Sequence, residues 1–202
     1  MEIKHSIKLL LVEDQTILRT GLTLVLRRFS DLEVIGESDD GMDAVDKAMR
    51  LKPDVILMDI SLRGMNGIDA TIEIKKLQPQ IKILALTSHE DESSVLTAFS
   101  AGIDGYCPKD IVEAQLYDAI KTVYAGQYWL EPSLAKKLLR SNRTKQKSDQ
   151  KRESLTDSEL EFFDLIMEGL DSHQVAGRLK MSAESTRTLL RSILDKMRVM
   201  AQ

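Results

Sequence analysis

The sequence holds a single cysteine, Cys107, in 202 residues. No disulfide can form within the chain, which excludes the small secreted scaffolds that depend on such bridges and fits a reducing cytoplasm. Histidine is nearly as scarce. His5, His89 and His173 stand far apart and in no metal-ligand spacing, so each is expected at a surface or a turn. No apolar run approaches the roughly 18 residues that suggest a membrane span. The opening Met1, Glu2, Ile3, Lys4, His5 has no signal-peptide apolar region. A glycine-rich phosphate loop ending in Lys and Ser or Thr is missing too. What remains is a chain with 43% hydrophobic residues, enough for real cores.

Those apolar residues come in short runs that alternate with longer stretches of helical period, the signature of βαβ units and a parallel sheet. After Asp14, the residues Ile17, Leu18, Gly21, Leu22, Val25, Leu26 and Phe29 recur at three- and four-residue steps. Further helices are predicted over 41–50, from Gly67, over 93–100 and over 111–124, the last with Val112, Leu116, Ala119, Ile120 and Val123 on one face. Five strands and five helices occupy about the first 125 residues, a normal domain size.

Four of the runs end on polar residues of different chemistry. Residues 7–12 lead into Glu13 and Asp14, 55–58 into Asp59, 83–86 into Thr87, and 106–108 into Lys109. In an open α/β sheet these ends share one edge, where ligands bind. A phosphate cannot approach three carboxylates unaided, so the pocket calls for a hard divalent cation, Mg²⁺, which prefers carboxylate oxygens and water. Asp59 then serves as metal ligand and as nucleophile toward phosphorus, giving an acyl phosphate. Lys109 balances the transferred charge, and the Thr87 hydroxyl donates to one of its oxygens.

Two other phosphate chemistries fail on particular residues. A flavodoxin-type mononucleotide site needs Ser, Thr and Gly after the first strand, where Glu13 and Asp14 stand. A haloacid-dehalogenase-type phosphatase needs a second aspartate two residues past the nucleophile, where Ser61 stands. The chain is therefore expected to catalyse its own phosphorylation and dephosphorylation only, and not to turn over an external substrate.

The words Leu11-Val12-Glu13-Asp14, Ile56-Leu57-Met58-Asp59, Gly64-Met65-Asn66-Gly67, Ala85-Leu86-Thr87 and Gly105-Tyr106 with Lys109 follow in order. Together they resemble the receiver domain of two-component response regulators. The resemblance implies a flavodoxin-like, doubly wound five-stranded parallel sheet over residues 1–126. It also implies that Asp59 accepts phosphate from a sensor histidine kinase, and that Mg²⁺ is held by Asp14, Asp59 and the Ser61 backbone carbonyl, with Glu13 acting through a water. Thr87 and Tyr106 would form a switch pair, the ring turning inward from solvent as Thr87 moves toward the phosphoryl group. Two positions depart from the family: Arg63 stands where proline is usual, and Asp110 follows Lys109 where proline is usual.

Beyond the receiver the composition shifts. Residues 136–152 carry eight basic side chains against Asp149 alone, a net charge of +7, and 141–154 contain no large apolar residue. This reads as a solvated basic linker over 127–152, its charge either keeping it extended or attracting nucleic-acid phosphates. A capping box, Thr156 to Glu159, then opens a helix bearing Leu160, Phe163, Ile166, Met167 and Leu170. A second helix over 172–180 and a third from about Ala183, capped by Ser182, complete a small all-α unit over 153–202.

Leu155, Thr156, Glu159, Glu161, Gly169, Leu170, Ala176, Leu179, Ser182, Arg187, Ile193, Leu194, Lys196 and Val199 resemble the LuxR-type helix-turn-helix output domain of the NarL/FixJ regulators, and the last helix of that domain is expected to be missing here. Residues 153–171 hold seven acids and no base, whereas 172–202 hold six bases against Glu184 and Asp195, a net of +4. Lys180, Arg187, Arg191 and Lys196 are the expected DNA contacts. Departures are Lys180 for a turn glycine, Thr186 for an apolar core residue, Glu184 for lysine and Leu189 for histidine. The sequence thus predicts a cytoplasmic response regulator that binds promoter DNA, with a homodimer possible and no membrane partner. The alternative is a phosphorylation-dependent protein-interaction regulator whose helix-turn-helix has lost DNA binding.

Overall fold

A computed structural model describes residues 6–88, 92–130, 155–167, 170, 172–182, 185, 186, 188, 189, 192, 193 and 196. Strand and helix alternate as predicted. The order is β1 (Ile7–Val12), α1 (Thr16–Leu26), β2 (Leu32–Ser38), α2 (Gly41–Leu51), β3 (Val55–Asp59), α3 (Gly67–Leu77), β4 (Lys82–Thr87), α4 (Glu92–Ala101), β5 (Gly105–Pro108), α5 (Glu113–Tyr124) and β6 (Trp129–Leu130). The sheet runs β2-β1-β3-β4-β5-β6 with every pairing parallel.

The sequence predicts five strands and the sheet has six. Trp129 and Leu130 pair with Gly105 and Tyr106, inside what reads from sequence as the start of the linker. A two-residue strand leaves no periodicity to detect. It covers the open edge of β5, whose unpaired N–H and C=O groups would otherwise face solvent or another chain.

The central strands β1, β3 and β4 are near-continuous apolar runs because both faces of the sheet are covered. On one face Leu9, Leu11, Leu57, Leu84 and Leu86 pack with Leu26 of α1 and with Leu116, Ala119, Ile120 and Val123 of α5. On the other, Leu10, Val12, Ile56, Met58 and Ile83 pack with Ala44 and Ala48 of α2, Ala70 and Ile74 of α3, and Val95 and Ala98 of α4. Each large aliphatic side chain buried this way contributes about 1.5–3 kcal/mol. Some periodic positions fall outside the core: Ile17 is 90% exposed, Gly21 is exposed too, and Val112 is the exposed N-cap of α5 rather than part of its buried face.

Helix ends are set by local chemistry. The Asp40 carboxylate accepts from the Met42 and Asp43 amides and opens α2, and Asn66 accepts from the Asp69 amide and opens α3. In the C-terminal part, α6 (Asp157–Met167) and α7 (Ser172–Arg178) form. Residues 185, 186, 188, 189, 192, 193 and 196 are helical as well. The capping box is made: the Thr156 amide donates to Glu159 Oε2 at 2.6 Å, and the Glu159 amide donates to Thr156 Oγ1 at 3.4 Å. Ser182 caps the third helix through the Ser185 amide at 3.1 Å. Phe162, Leu165, Val175 and Ile193 share one buried apolar cluster with Tyr128 and Leu130, so the small helices adjoin the β6 edge.

Candidate functional site

The ends of β1, β3, β4 and β5 meet at one edge of the sheet because parallel neighbours in register carry their last residues to the same level. Met58 pairs with Val12, Asp59 with Leu86, and Thr87 with Pro108. Glu13, Asp14, Asp59, Thr87 and Lys109 therefore gather as expected. Glu13, Asp59 and Thr87 are each 1% exposed.

Lys109 is the cation at the centre. Its Nζ donates to Asp59 Oδ2 at 2.8 Å and lies 2.8 Å from Glu13 Oε2. The Lys109 amide donates to the Thr87 carbonyl at 2.9 Å, which fixes the start of the lysine side chain against β4. Burial alone would lower the lysine's pKa. Asp59 and Glu13 outweigh that and leave it raised, so the amine stays charged. Burial pushes the Glu13 carboxyl above the ordinary glutamate value, reinforced by the Asp59 charge and opposed by Lys109 and by the Gln15 amide.

Three backbone features hold the carboxylates in place. The Ser61 amide donates to Asp59 Oδ1 at 2.9 Å, so the turn that carries the Ser61 carbonyl is tied to the Asp59 carboxylate. The Gln15 amide donates to Glu13 Oε1 at 3.1 Å. Arg19, which no motif singles out, donates from Nη1 to the Glu13 carbonyl at 2.5 Å and pairs with Glu37 at 3.4 Å, pinning the acidic turn from α1. Its only sequence signal is a position one helical turn beyond Gln15. Arg63 lies at the rim, its Nε 3.3 Å from Asp14 Oδ2.

One oxygen from each of Glu13, Asp14 and Asp59 falls within 4.8 Å of the others. Glu13 Oε2 is buried and, despite its closeness to Lys109, makes no hydrogen bond of proper geometry. An all-oxygen set of three converging carboxylates, two of them buried, fits Mg²⁺ and its retained waters. Tyr106 is 0% exposed and lies in the cluster with Val95, Ala98 and Phe99, so its ring occupies the inward position that the sequence reading assigns to the switched state.

The expected DNA contacts do not gather in the same way. Lys180 is exposed at the turn after α7 with φ of 53°. Lys196 instead reaches the capping-box glutamate: its Nζ donates to Glu159 Oε2 at 2.6 Å, while Ser192 Oγ donates to Oε1 at 2.6 Å. Burial pushes the Glu159 carboxyl up, but Lys196, Ser192 and Thr156 outweigh it and hold its pKa at about 2. Arg187 and Arg191 lie outside the described residues. Thr186, noted as polar at a core position, is buried and donates its hydroxyl to the Ser182 carbonyl at 2.9 Å. No described helix is long and apolar enough to cross a membrane.

Comparison with known proteins agrees with the geometry. Residues 9–121 match the family described as the response regulator receiver domain. The chain is 37% identical to the response regulator protein VraR of Staphylococcus epidermidis over 194 residues, 96% of this chain and 91% of that protein; VraR of Staphylococcus aureus matches to the same extent. A two-component response regulator of the LuxR family from Aurantimonas sp. superposes with a TM-score of 0.65 at 31% identity, over 68% of this chain and 98% of that one. A structure of two RcsB dimers bound to two parallel DNAs superposes with a TM-score of 0.62 at 21% identity, over 96% of this chain and 92% of the other, a likeness of fold alone.

Proposed function

The chain belongs to the response regulators of two-component systems, and on that premise we propose that it takes a phosphoryl group on Asp59 from a sensor histidine kinase and regulates transcription by binding promoter DNA. The observation that carries the first half is the placement of Lys109, 2.8 Å from both Asp59 and Glu13 at the edge where three carboxylates converge. An Asp59 oxygen attacks the phosphorus of phosphohistidine, a new P–O bond forms, and the P–N bond to the imidazole breaks. The Ser61 amide on Oδ1 holds the carboxylate so that one oxygen stays oriented for attack. Lys109 neutralises charge on the transferred group, and the Thr87 hydroxyl offers it a donor. Mg²⁺, held by Asp14, Asp59 and the Ser61 carbonyl with Glu13 acting through a water, would supply the Lewis-acid charge that lets an anionic donor approach.

Similarity to VraR over 96% of this chain, and to a LuxR-family regulator over 68% of it, supports the transcriptional half. A homodimer on DNA belongs to the same reading. The test has two arms. Wild-type protein should incorporate label from radiolabelled acetyl phosphate only with Mg²⁺, and Asp59→Asn should not; label retained in that variant refutes Asp59 as acceptor. Salt-dependent binding to a promoter fragment that weakens in Arg187→Ala supports DNA recognition.

One observation favours the second reading, a protein-interaction output. The Lys196 ammonium is committed to Glu159 inside the small domain, which leaves one fewer cation for phosphates. Absence of any DNA affinity before and after phosphorylation would decide for that reading.

A further inference from the structure

The three carboxylates of the pocket are divided between two cations. Lys109 engages Glu13 and Asp59 but not Asp14. Asp14, whose side chain is 13% exposed, is paired with Arg63 at 3.3 Å, and among the described residues Arg63 is its one ion-pair partner. The loop that delivers Arg63 is fixed on both sides. Leu62 is buried at 7% exposure, Gly64 takes a left-handed φ of 71°, and the Gly67 amide donates to the Ile60 carbonyl at 3.0 Å to close the turn. The backbone thus holds Arg63 on the acidic rim while its own side chain remains 91% exposed.

We infer that Arg63 is a resident counter-cation of the acidic pocket, which competes with Mg²⁺ for Asp14 and so lowers the pocket's metal affinity. This rests on the reading of Glu13, Asp14 and Asp59 as the metal site. An incoming divalent ion must share the Asp14 carboxylate with the guanidinium or displace it, and then sit beside a fixed positive charge. Both effects disfavour binding, and both vanish when the side chain is made neutral. Because the arginine is exposed, the competition is modest and screened by salt. Arg63 is a positioning residue here, acting on the reaction through Asp14 without touching the reacting atoms.

The test titrates the full-length chain with MgCl₂ by calorimetry, comparing wild type, Arg63→Gln and the charge-keeping Arg63→Lys. At low ionic strength Arg63→Gln should bind Mg²⁺ about two- to fivefold more tightly than wild type, Arg63→Lys should stay near wild type, and added salt should shrink the difference. Equal or weaker binding by Arg63→Gln overturns the inference while leaving the metal site intact. If wild type and both variants take up no Mg²⁺, the metal reading itself fails and the inference falls with it. Since the side chain is solvated, thermal melting of the three metal-free proteins should coincide, which confirms that the comparison is made on equally folded chains.

Discussion

A methyl group placed on Gly67 would come within 2.1 Å of the Asp59 carbonyl oxygen. The start of α3 is thus pressed against the end of β3, and the turn between them, which carries Ser61 and Arg63, closes over a contact that only a missing side chain permits.

Gly67→Ala should therefore move the turn after Asp59 as well as destabilise the fold. The atoms a Cβ would meet are backbone, at Asp59 and Ile60, so no flexible side chain can give way. The expected cost is about 1–3 kcal/mol, read as a lowered urea midpoint, with a larger fractional loss of acetyl-phosphate labelling than the unfolded fraction explains. Wild-type labelling in a destabilised variant would show that the contact matters only for packing.

Lys109→Ala should leave Glu13 and Asp59 buried without their shared cation. Removing one partner of a buried pair costs about 3–5 kcal/mol, and the three converging carboxylates then repel one another. With Mg²⁺ bound to the folded state as proposed, adding it should restore more thermal stability to Lys109→Ala than to wild type. A variant that melts like wild type without metal would remove Lys109 from the charge balance of the pocket.

The Glu159 clasp gives a pH dependence with a definite sign. Its carboxyl has a folded pKa of about 2 against an ordinary 4.5. The unfolded state binds the proton more readily, so the stabilisation is complete above about pH 4.5 and is lost as pH falls toward 2. Glu159→Gln should lower stability at neutral pH, because Lys196 loses a charged partner, and should flatten the melting curve's pH dependence between 4.5 and 2 relative to wild type. Parallel pH profiles for the two proteins would show that the ion pair does not form in solution.

How far these features could be read from residues alone depends on their range. The strand-end residues were legible because each follows an apolar run, and a parallel sheet places all such ends on one edge. The caps at Thr156 and Ser182 were legible because capping is a three-residue affair. What escaped detection was set by tertiary contact. β6 is two residues chosen by the free edge of β5, and Arg19 reaches the Glu13 carbonyl from the next helix. Lys196 lies 37 residues from the glutamate that holds it, so its charge in the sequence looked available for DNA. Arg63 was visible as a departure from proline, but its partner Asp14 was not.

Lys180 was also visible as a departure, standing where the family has a turn glycine, and the structure gives the reason glycine is preferred there. The Met181 amide donates to the Ala176 carbonyl at 2.9 Å and the Lys180 amide to the Gly177 carbonyl at 3.3 Å. This is the Schellman pattern, with Lys180 at the position that must turn left-handed, at φ of 53°. A side chain there costs about 1–2 kcal/mol relative to glycine in that conformation, partly offset because glycine also loosens the unfolded chain. Lys180→Gly should therefore raise the stability of the small domain by about 0.5–1 kcal/mol. If Lys180 contacts a phosphate, the same change should weaken DNA binding and reduce the slope of log affinity against log salt by about 0.9. The two readouts separate the roles. Greater stability with an unchanged salt slope would place Lys180 at a turn and not on DNA, whereas unchanged or lower stability would contradict the strain itself.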